Sequence, residues 1–312
     1  MDLVDIIRHQ IGTLPEGRHS IGLRSILRHV EAAYRHFSRG QTEPDESAFT
    51  DSIYRANQAF EGSIKEAFRV LAGKDPRKAT PYQIEVYLEE NKIFRNRVLA
   101  QFTNYRTEWR NPSTHDYNLD FDEDEAFLAI VSVSAFAKLL IDQIAERLSF
   151  VAVKQETKTF AAPPELNSTR TEKLLDRAIA ILQEFARHYA SNTAGVRLET
   201  EAQLIGAVSG FFSSLTPDTK IETDGAVGSK RTHRFDLALS EGDQRVIIEV
   251  KRSKSVHNVG DAIVQLAKLL EQAEVPDGIL FLFSASTNNY SRRAVPVHGL
   301  GRARSVNILS PV

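Results

Sequence analysis

The chain has 312 residues, enough for two domains or one large one. Its 39 Lys and Arg nearly balance 41 Asp and Glu, leaving a net charge of −2, which excludes a polybasic protein that holds nucleic acid by bulk charge. With 42% hydrophobic residues, 26% charged residues and no cysteine, the composition is that of a soluble globular protein and excludes wholesale disorder, disulfide scaffolds, Cys-ligated zinc, iron–sulfur clusters and thiol catalysis.

The opening Met1-Asp2-Leu3-Val4-Asp5 carries acids where a secretory signal carries Lys or Arg, and no long apolar run follows. A cytoplasmic location is therefore expected. Apolar residues three and four apart then predict helices over residues 21–37, 45–72, 81–109 and 123–150, as in Ile53, Ala56, Phe60, Ile64, Ala67 and Val70. Four such helices make a bundle. Thr80-Pro81 marks a helix start, and Asp122-Glu123-Asp124-Glu125 reads as an N-terminal cap in preference to a metal site. The most apolar stretch, residues 126–141, contains Ser132, Ser134 and Lys138 and falls short of a bilayer span. It is predicted to be a buried helix, and no membrane partner is expected.

Pro163-Pro164 forbids helix continuation, so a linker is placed at residues 156–168, between a helical domain at 1–155 and a second domain at 169–312. Thr169 and Glu172 form a capping box ahead of Leu174, Ala178, Leu182, Phe185 and Tyr189. Thr200 and Gln203 open a further helix with Leu204, Val208, Phe211, Phe212 and Leu215 on its apolar face. The period then changes to two. Strands are predicted at residues 220–227, 234–239, 245–251, 279–283 and 305–309, with a helix at 258–273. The fold class is thus an α-helical bundle followed by an α/β domain, a mixed sheet flanked by helices.

Alternation in Arg245-Val246-Ile247-Ile248-Glu249-Val250-Lys251 puts Glu249 and Lys251 on one face. In the preceding strand Phe235, Leu237 and Leu239 are expected to point one way and Asp236 the other, and Ser240-Glu241-Gly242-Asp243 supplies the turn that brings Asp236 near Glu249. Two carboxylates at neighbouring strand ends suit the hard oxygen coordination that Mg²⁺ prefers, with Mn²⁺ as its substitute. A lysine beside them can orient or deprotonate a water that attacks phosphorus. Alone, an E-x-K on a strand also reads as a cross-strand ion pair.

The order of elements around Asp236 and Glu249-Val250-Lys251 resembles the PD-(D/E)xK restriction-endonuclease-like superfamily over roughly residues 169–312. The resemblance implies a metal-binding Asp236 and Glu249 and a catalytic Lys251, although Phe235 stands where the name-giving Pro would be. It also implies an accessory Glu on the helix before the sheet, Glu201 with Glu199 as rival, and a Gln on the helix after the lysine strand, where Gln265 fits or is simply solvated. His233 and His257 flank the cluster, as phosphate contacts or surface residues.

In the first half, Arg110-Asn111-Pro112-Ser113-Thr114-His115-Asp116-Tyr117 has the spacing R-x4-H-x-Y. A helical bundle carrying it over residues 20–150 resembles the HEPN superfamily. That resemblance implies a metal-independent ribonuclease site shared between two protomers, in which His115 moves the 2′-OH proton, Arg110 stabilises the phosphorane and Asn111 is a polar neighbour. Tyr117 would be a regulatory handle. The bland reading makes Arg110 a helix anchor, Asn111-Pro112 a turn and His115 a surface residue.

Segments that suggest phosphate loops, residues 225–230 and 299–301, lack the required glycine and lysine placement and read as turns. Arg292, Arg293, Arg302 and Arg304 read as a solvated basic edge or as phosphate contacts. Together the two resemblances imply a Mg²⁺-dependent DNA endonuclease fused to a dimerising HEPN-like domain, as an antiviral defence effector. The alternative is a HEPN ribonuclease toxin, under the control of an antitoxin or other regulatory protein, whose second half only binds nucleic acid. The expected partners are DNA at the second domain, RNA at the first and a second copy of the chain.

Overall fold

A computed structural model of the protein describes residues 3–45, 47–115, 120–158, 173–190, 195–228, 233–256, 258–297 and 304–312. The chain forms two compact units, Met1–Arg147 and Leu148–Val312. The predicted linker and the Thr169–Glu172 capping box fall largely outside the described residues.

The first unit is helical: α1 (Leu3–Thr13), α2 (Arg18–Thr42), α3 (Ser47–Val70), α4 (Pro81–Glu90), α5 (Asn96–Tyr105), α6 (Asn111–His115) and α7 (Glu123–Thr157), whose last residues belong to the second unit. Its centre is aromatic. The Phe60 ring lies 5.5 Å from Phe102, 4.9 Å from Tyr105 and 5.3 Å from Phe136, so α3, α5 and α7 meet there. The predicted helix starts hold: Thr80 and Gln83 cap α4 reciprocally, and Asp122 and Glu125 exchange side-chain bonds with each other's backbone N–H at 2.9 and 3.0 Å. The acidic run is therefore a cap.

Three features depart from expectation. Helix α1, with Ile7 fully buried, was not marked by the sequence pattern. The single helix expected over residues 81–109 is broken after Glu90, where Lys92 takes φ +51°. Gln143 of α7 bridges the break, donating from Nε2 to the Ile93 carbonyl at 2.8 Å and accepting from the Arg95 N–H at 3.4 Å. A tertiary partner thus supplies the hydrogen bonds that helix continuation would have made. Last, Asn111-Pro112 is not a turn. Residues Arg106–Arg110 form a π-helical turn in which the Asn111 N–H reaches the Arg106 carbonyl, and α6 continues from it. Pro112 has no N–H to donate and crowds the preceding turn, and the wider winding relieves that conflict.

By length and composition α7 is the one described helix that could cross a bilayer, with a mean hydropathy of 1.8 over its most apolar window. Half of that window is buried inside the protein, as in a core helix.

The second unit carries α8 (Leu174–Tyr189), α9 (Glu201–Leu215), β1 (Lys220–Val227), β2 (His233–Glu241), β3 (Gln244–Arg252), α10 (Val259–Ala273), β4 (Asp277–Phe283), β5 (Tyr290–Val297) and β6 (Arg304–Pro311). The sheet is mixed, in the order β1-β2-β3-β4-β6-β5. β1, β2 and β3 form an antiparallel meander, β3, β4 and β6 run parallel, and β5 closes the far edge antiparallel to β6. Gly242, at φ +54°, makes the tight connection between paired Glu241 and Gln244. Both faces are covered. Leu237, Leu239, Val246, Ile248, Val250 and Phe281 pack beneath α8 and α9, whereas Phe235, Ala238, Ile247, Leu280 and Ile308 pack beneath α10.

Strand β5 was not anticipated, because Arg292, Arg293 and Pro296 argue against a central strand; an edge tolerates all three. There Arg292 is committed to Asp176 at 2.8 Å and to Asn307 at 3.0 Å, while Arg302 lies outside the described residues. Residues Gly225 to Val227, from the first phosphate-loop-like segment, belong to β1.

Candidate active site

The expectation that Phe235 faces the same way as Leu237 and Leu239 is corrected by the sheet. Phe235 packs under α10, and the two leucines under α8 and α9. The change of face occurs at Asp236, where the pairing of β2 with β3 stops at Leu237↔Ile248 and the facing residue of β1, Asp224, adopts φ +51°. Gly225, paired with Phe235, makes room for the ring: a Cβ there would lie 2.0 Å from Phe235 Cζ.

Beyond that point β3 keeps its other neighbour, since its pairing with β4 continues to Arg252↔Phe283. Glu249, Val250 and Lys251 therefore line the opening between diverging strands. The Val250 N–H, deprived of a ladder partner on β2, donates to Asp236 Oδ2 at 2.9 Å. That bond locks the aspartate side chain across the gap.

A third element completes the cluster. Thr200 and Gln203 form the predicted capping box, with the Gln203 N–H donating to Thr200 Oγ1 at 3.2 Å and the Thr200 N–H to Gln203 Oε1 at 3.0 Å. This places Glu201 at the first position of α9. Its Oε2 lies 3.5 Å from Lys251 Nζ, which is also 3.5 Å from Asp236 Oδ2 and 3.3 Å from Glu249 Oε1. The four residues named from the sequence thus converge. Glu199, the rival, is bound through its backbone, its carbonyl accepting from Arg252 and its N–H reaching Gln203.

Burial governs the charge state of this cluster. Desolvation, reinforced by the charge of Asp236, pushes the Glu249 carboxyl up to about 7. Asp236 is also raised, mainly by burial, with Lys251 pulling the other way. Burial works against the Lys251 ammonium, yet Asp236, Glu249 and Glu201 together hold it above the usual lysine range. Three carboxylates around one ammonium leave net negative charge, which repels a phosphodiester unless a cation joins them.

The fit to a divalent ion rests on Glu249 Oε2, which is buried and has no hydrogen-bond partner. A hard cation is one partner such an oxygen accepts. Among the described residues, however, no three carboxylate or imidazole groups converge on one point as a complete metal shell would; the carboxylates are gathered around Lys251. Asp236 and Glu249 are the residues that would hold the ion, with solvent or substrate oxygens completing its coordination.

A cavity of about 310 Å³ adjoins Glu249 on the α10 side, lined also by His233, Arg234, Gln265, Leu266, Lys268 and Leu269. Gln265 and His233 thus border the cluster. Sequence reasoning missed Arg234, and the signal was present in Asp224 across the strand pair: Arg234 Nε donates to the Asp224 carboxylate at 3.1 Å and Nη2 to its carbonyl at 2.9 Å, with Nη2 at an ion-pair distance of 2.7 Å from Oδ2. His257 lies outside the described residues.

In the helical unit, Arg110 is mostly buried, 3.0 Å from Asn111 Oδ1 and 3.8 Å from the buried carboxylate of Glu85 on α4. Burial raises Glu85 above the ordinary carboxylate range, while Arg110 and Arg106 pull it down. The His115 side chain and Tyr117 lie outside the described residues. Sequence reasoning also missed a polar chain beside the motif, in which Tyr105 donates to Asn57 Oδ1 at 2.9 Å and Asn57 Nδ2 donates to Ser113 Oγ at 2.7 Å.

Comparison with protein-family models, curated proteins and solved structures returned no match.

Proposed function

We infer that the second unit is a metal-dependent endonuclease of the PD-(D/E)xK kind that hydrolyses phosphodiester bonds of DNA. One observation carries the reading. Where β2 and β3 part, Lys251 Nζ lies within 3.5 Å of carboxylates from α9, β2 and β3, and Glu249 keeps a buried, unpartnered oxygen. A structural ion pair on a strand needs only one carboxylate, whereas three meet at this ammonium.

In this reading a Mg²⁺ or Mn²⁺ bound there would offset the carboxylate charge and would supply a more acidic water. Asp236 and Glu249 would hold the ion. Asp236 is kept in place by the Val250 N–H, and Glu201 helps to fix the lysine. Lys251 orients the attacking water and offsets charge on the phosphoryl oxygens.

For the helical unit the inferred role is that of the HEPN resemblance, a dimerising domain with Arg110 and His115 at a ribonuclease site. The setting that favours a special role for Arg110 is its position at the end of a π-helical turn, a feature common at functional sites. The defence role, or control by an antitoxin, follows from the family resemblances alone.

The test is cleavage of plasmid DNA and of total RNA by the purified chain, each with Mg²⁺ and with EDTA. DNA cleavage should require the ion, and Asp236→Asn or Lys251→Met should lower it by about 10²-fold or more. RNA cleavage, if it is carried by Arg110 and His115, should persist in EDTA and disappear in His115→Ala. DNA cleavage that survives Lys251→Met unchanged sinks the nuclease assignment, and RNA cleavage that needs the metal or survives His115→Ala leaves the helical unit as a scaffold.

A further inference from the structure

The cavity beside Glu249 has a polarity of its own. Its walls come from three elements. His233 and Arg234 stand at the start of β2, and Gln265, Leu266, Lys268 and Leu269 lie on one side of α10, at the three- and four-residue spacing that aligns side chains on a helix. Leu266 and Leu269 are buried and give it an apolar floor. Glu249 closes it on the side of the carboxylate cluster.

Two cations face this space. The Arg234 guanidinium is fixed by Asp224 through Nε and Nη2, and its Nη1 makes no hydrogen bond among the described residues. One edge is thus held rigid and the other is left to donate. Lys268 is exposed and makes no ion pair among the described residues. A pre-oriented guanidinium and an uncommitted ammonium over an apolar floor match a phosphate with an attached sugar and base. At about 310 Å³ the space sits at the small end of ligand pockets, with room for one nucleotide and none for a stacked base pair.

We propose that this cavity is a subsite for a single unpaired nucleotide next to the bond that is cut, with its phosphate held by Arg234 and Lys268 and its sugar or base on Leu266 and Leu269. The substrate class becomes a DNA strand end, or a nucleotide splayed out of its duplex. The step rests on the nuclease reading for its meaning, but not for its test.

The measurement is calorimetric titration of the full chain with thymidine 5′-monophosphate in Mg²⁺, with thymidine as control. The nucleotide should bind and thymidine should bind at least about tenfold more weakly, because the phosphate carries the charge-assisted contacts. Lys268→Glu, on an exposed helix position, should weaken the nucleotide by about tenfold or more, and Arg234→Gln likewise. An unchanged melting temperature in Lys268→Glu shows that the fold is intact. No binding to the parent chain, or equal affinity in a folded Lys268→Glu, overturns the subsite. A parent chain that cuts intact duplex as fast as single strands overturns the unpaired substrate. Nucleotide binding that depends on Lys268, in a chain with no Asp236-dependent cleavage, overturns the nuclease reading and keeps the subsite.

Discussion

Lys251→Met is the substitution on which the charge argument can be measured without any substrate. Methionine keeps an unbranched stem as far as Cε and removes the ammonium that Glu201, Asp236 and Glu249 approach at 3.5, 3.5 and 3.3 Å. Removing one partner of a buried ion pair costs about 3–5 kcal/mol, because the remaining charge is stranded. Two facts lower that figure here. The Lys251 side chain keeps 24% of its surface in solvent, and Glu249, at about 7, can take up a proton. About 2 kcal/mol at pH 8 is therefore expected in EDTA, a melting shift of about 4–8 °C for a unit of this size. The sign with pH follows from Glu249. Its folded-state value lies above the ordinary 4.5, so its contribution is present at low pH and is lost as pH rises through about 7. Without the lysine both Glu249 and Asp236 should protonate more readily, so the deficit should shrink from pH 8 to pH 5.5. Thermal unfolding by circular dichroism at the two pH values measures both effects. A variant as stable as the parent at pH 8, or a deficit that grows toward pH 5.5, refutes the picture of stranded carboxylates.

Three further outcomes are expected. Glu249→Gln in EDTA should flatten the fall in stability between pH 5 and 8, since it removes the group whose acidity burial shifts to about 7; an unaltered slope in urea unfolding would place the titration elsewhere. Gly225→Ala should destabilise by about 1–3 kcal/mol, because its Cβ would meet the Phe235 ring at 2.0 Å. The double variant with Phe235→Leu should recover part of that loss, and additive losses would show that the ring is not the obstacle. Asn57→Ala should cost about 1–3 kcal/mol by leaving the hydroxyl of fully buried Tyr105 without its acceptor, while Tyr105→Phe in that background should be nearly neutral by the same assay.

Periodicities and the local ends of elements are legible in the residues alone. Strand β1 was legible to the residue and β2, β3 and β6 to within two, because alternating apolar residues are a local record of which face is buried. The caps at Thr80, Asp122 and Thr200 were legible because a cap is a contact between residues three apart. The trio Asp236, Glu249 and Lys251 was readable from one hairpin, and its hydrogen-bonded and charge-paired arrangement adds Glu201 from a helix earlier in the chain. Other features depend on partners far away in sequence. The break before α5 exists because Gln143 can satisfy the backbone of Ile93 and Arg95. The turn of Phe235 to the opposite face depends on Gly225 and on Asp224 across the strand pair. The open guanidinium edge of Arg234, and the cavity it shares with Lys268, arise only when α10 is laid on the sheet. Periodicity reports that a side chain is buried, whereas the identity of what it is buried against is fixed by long-range packing.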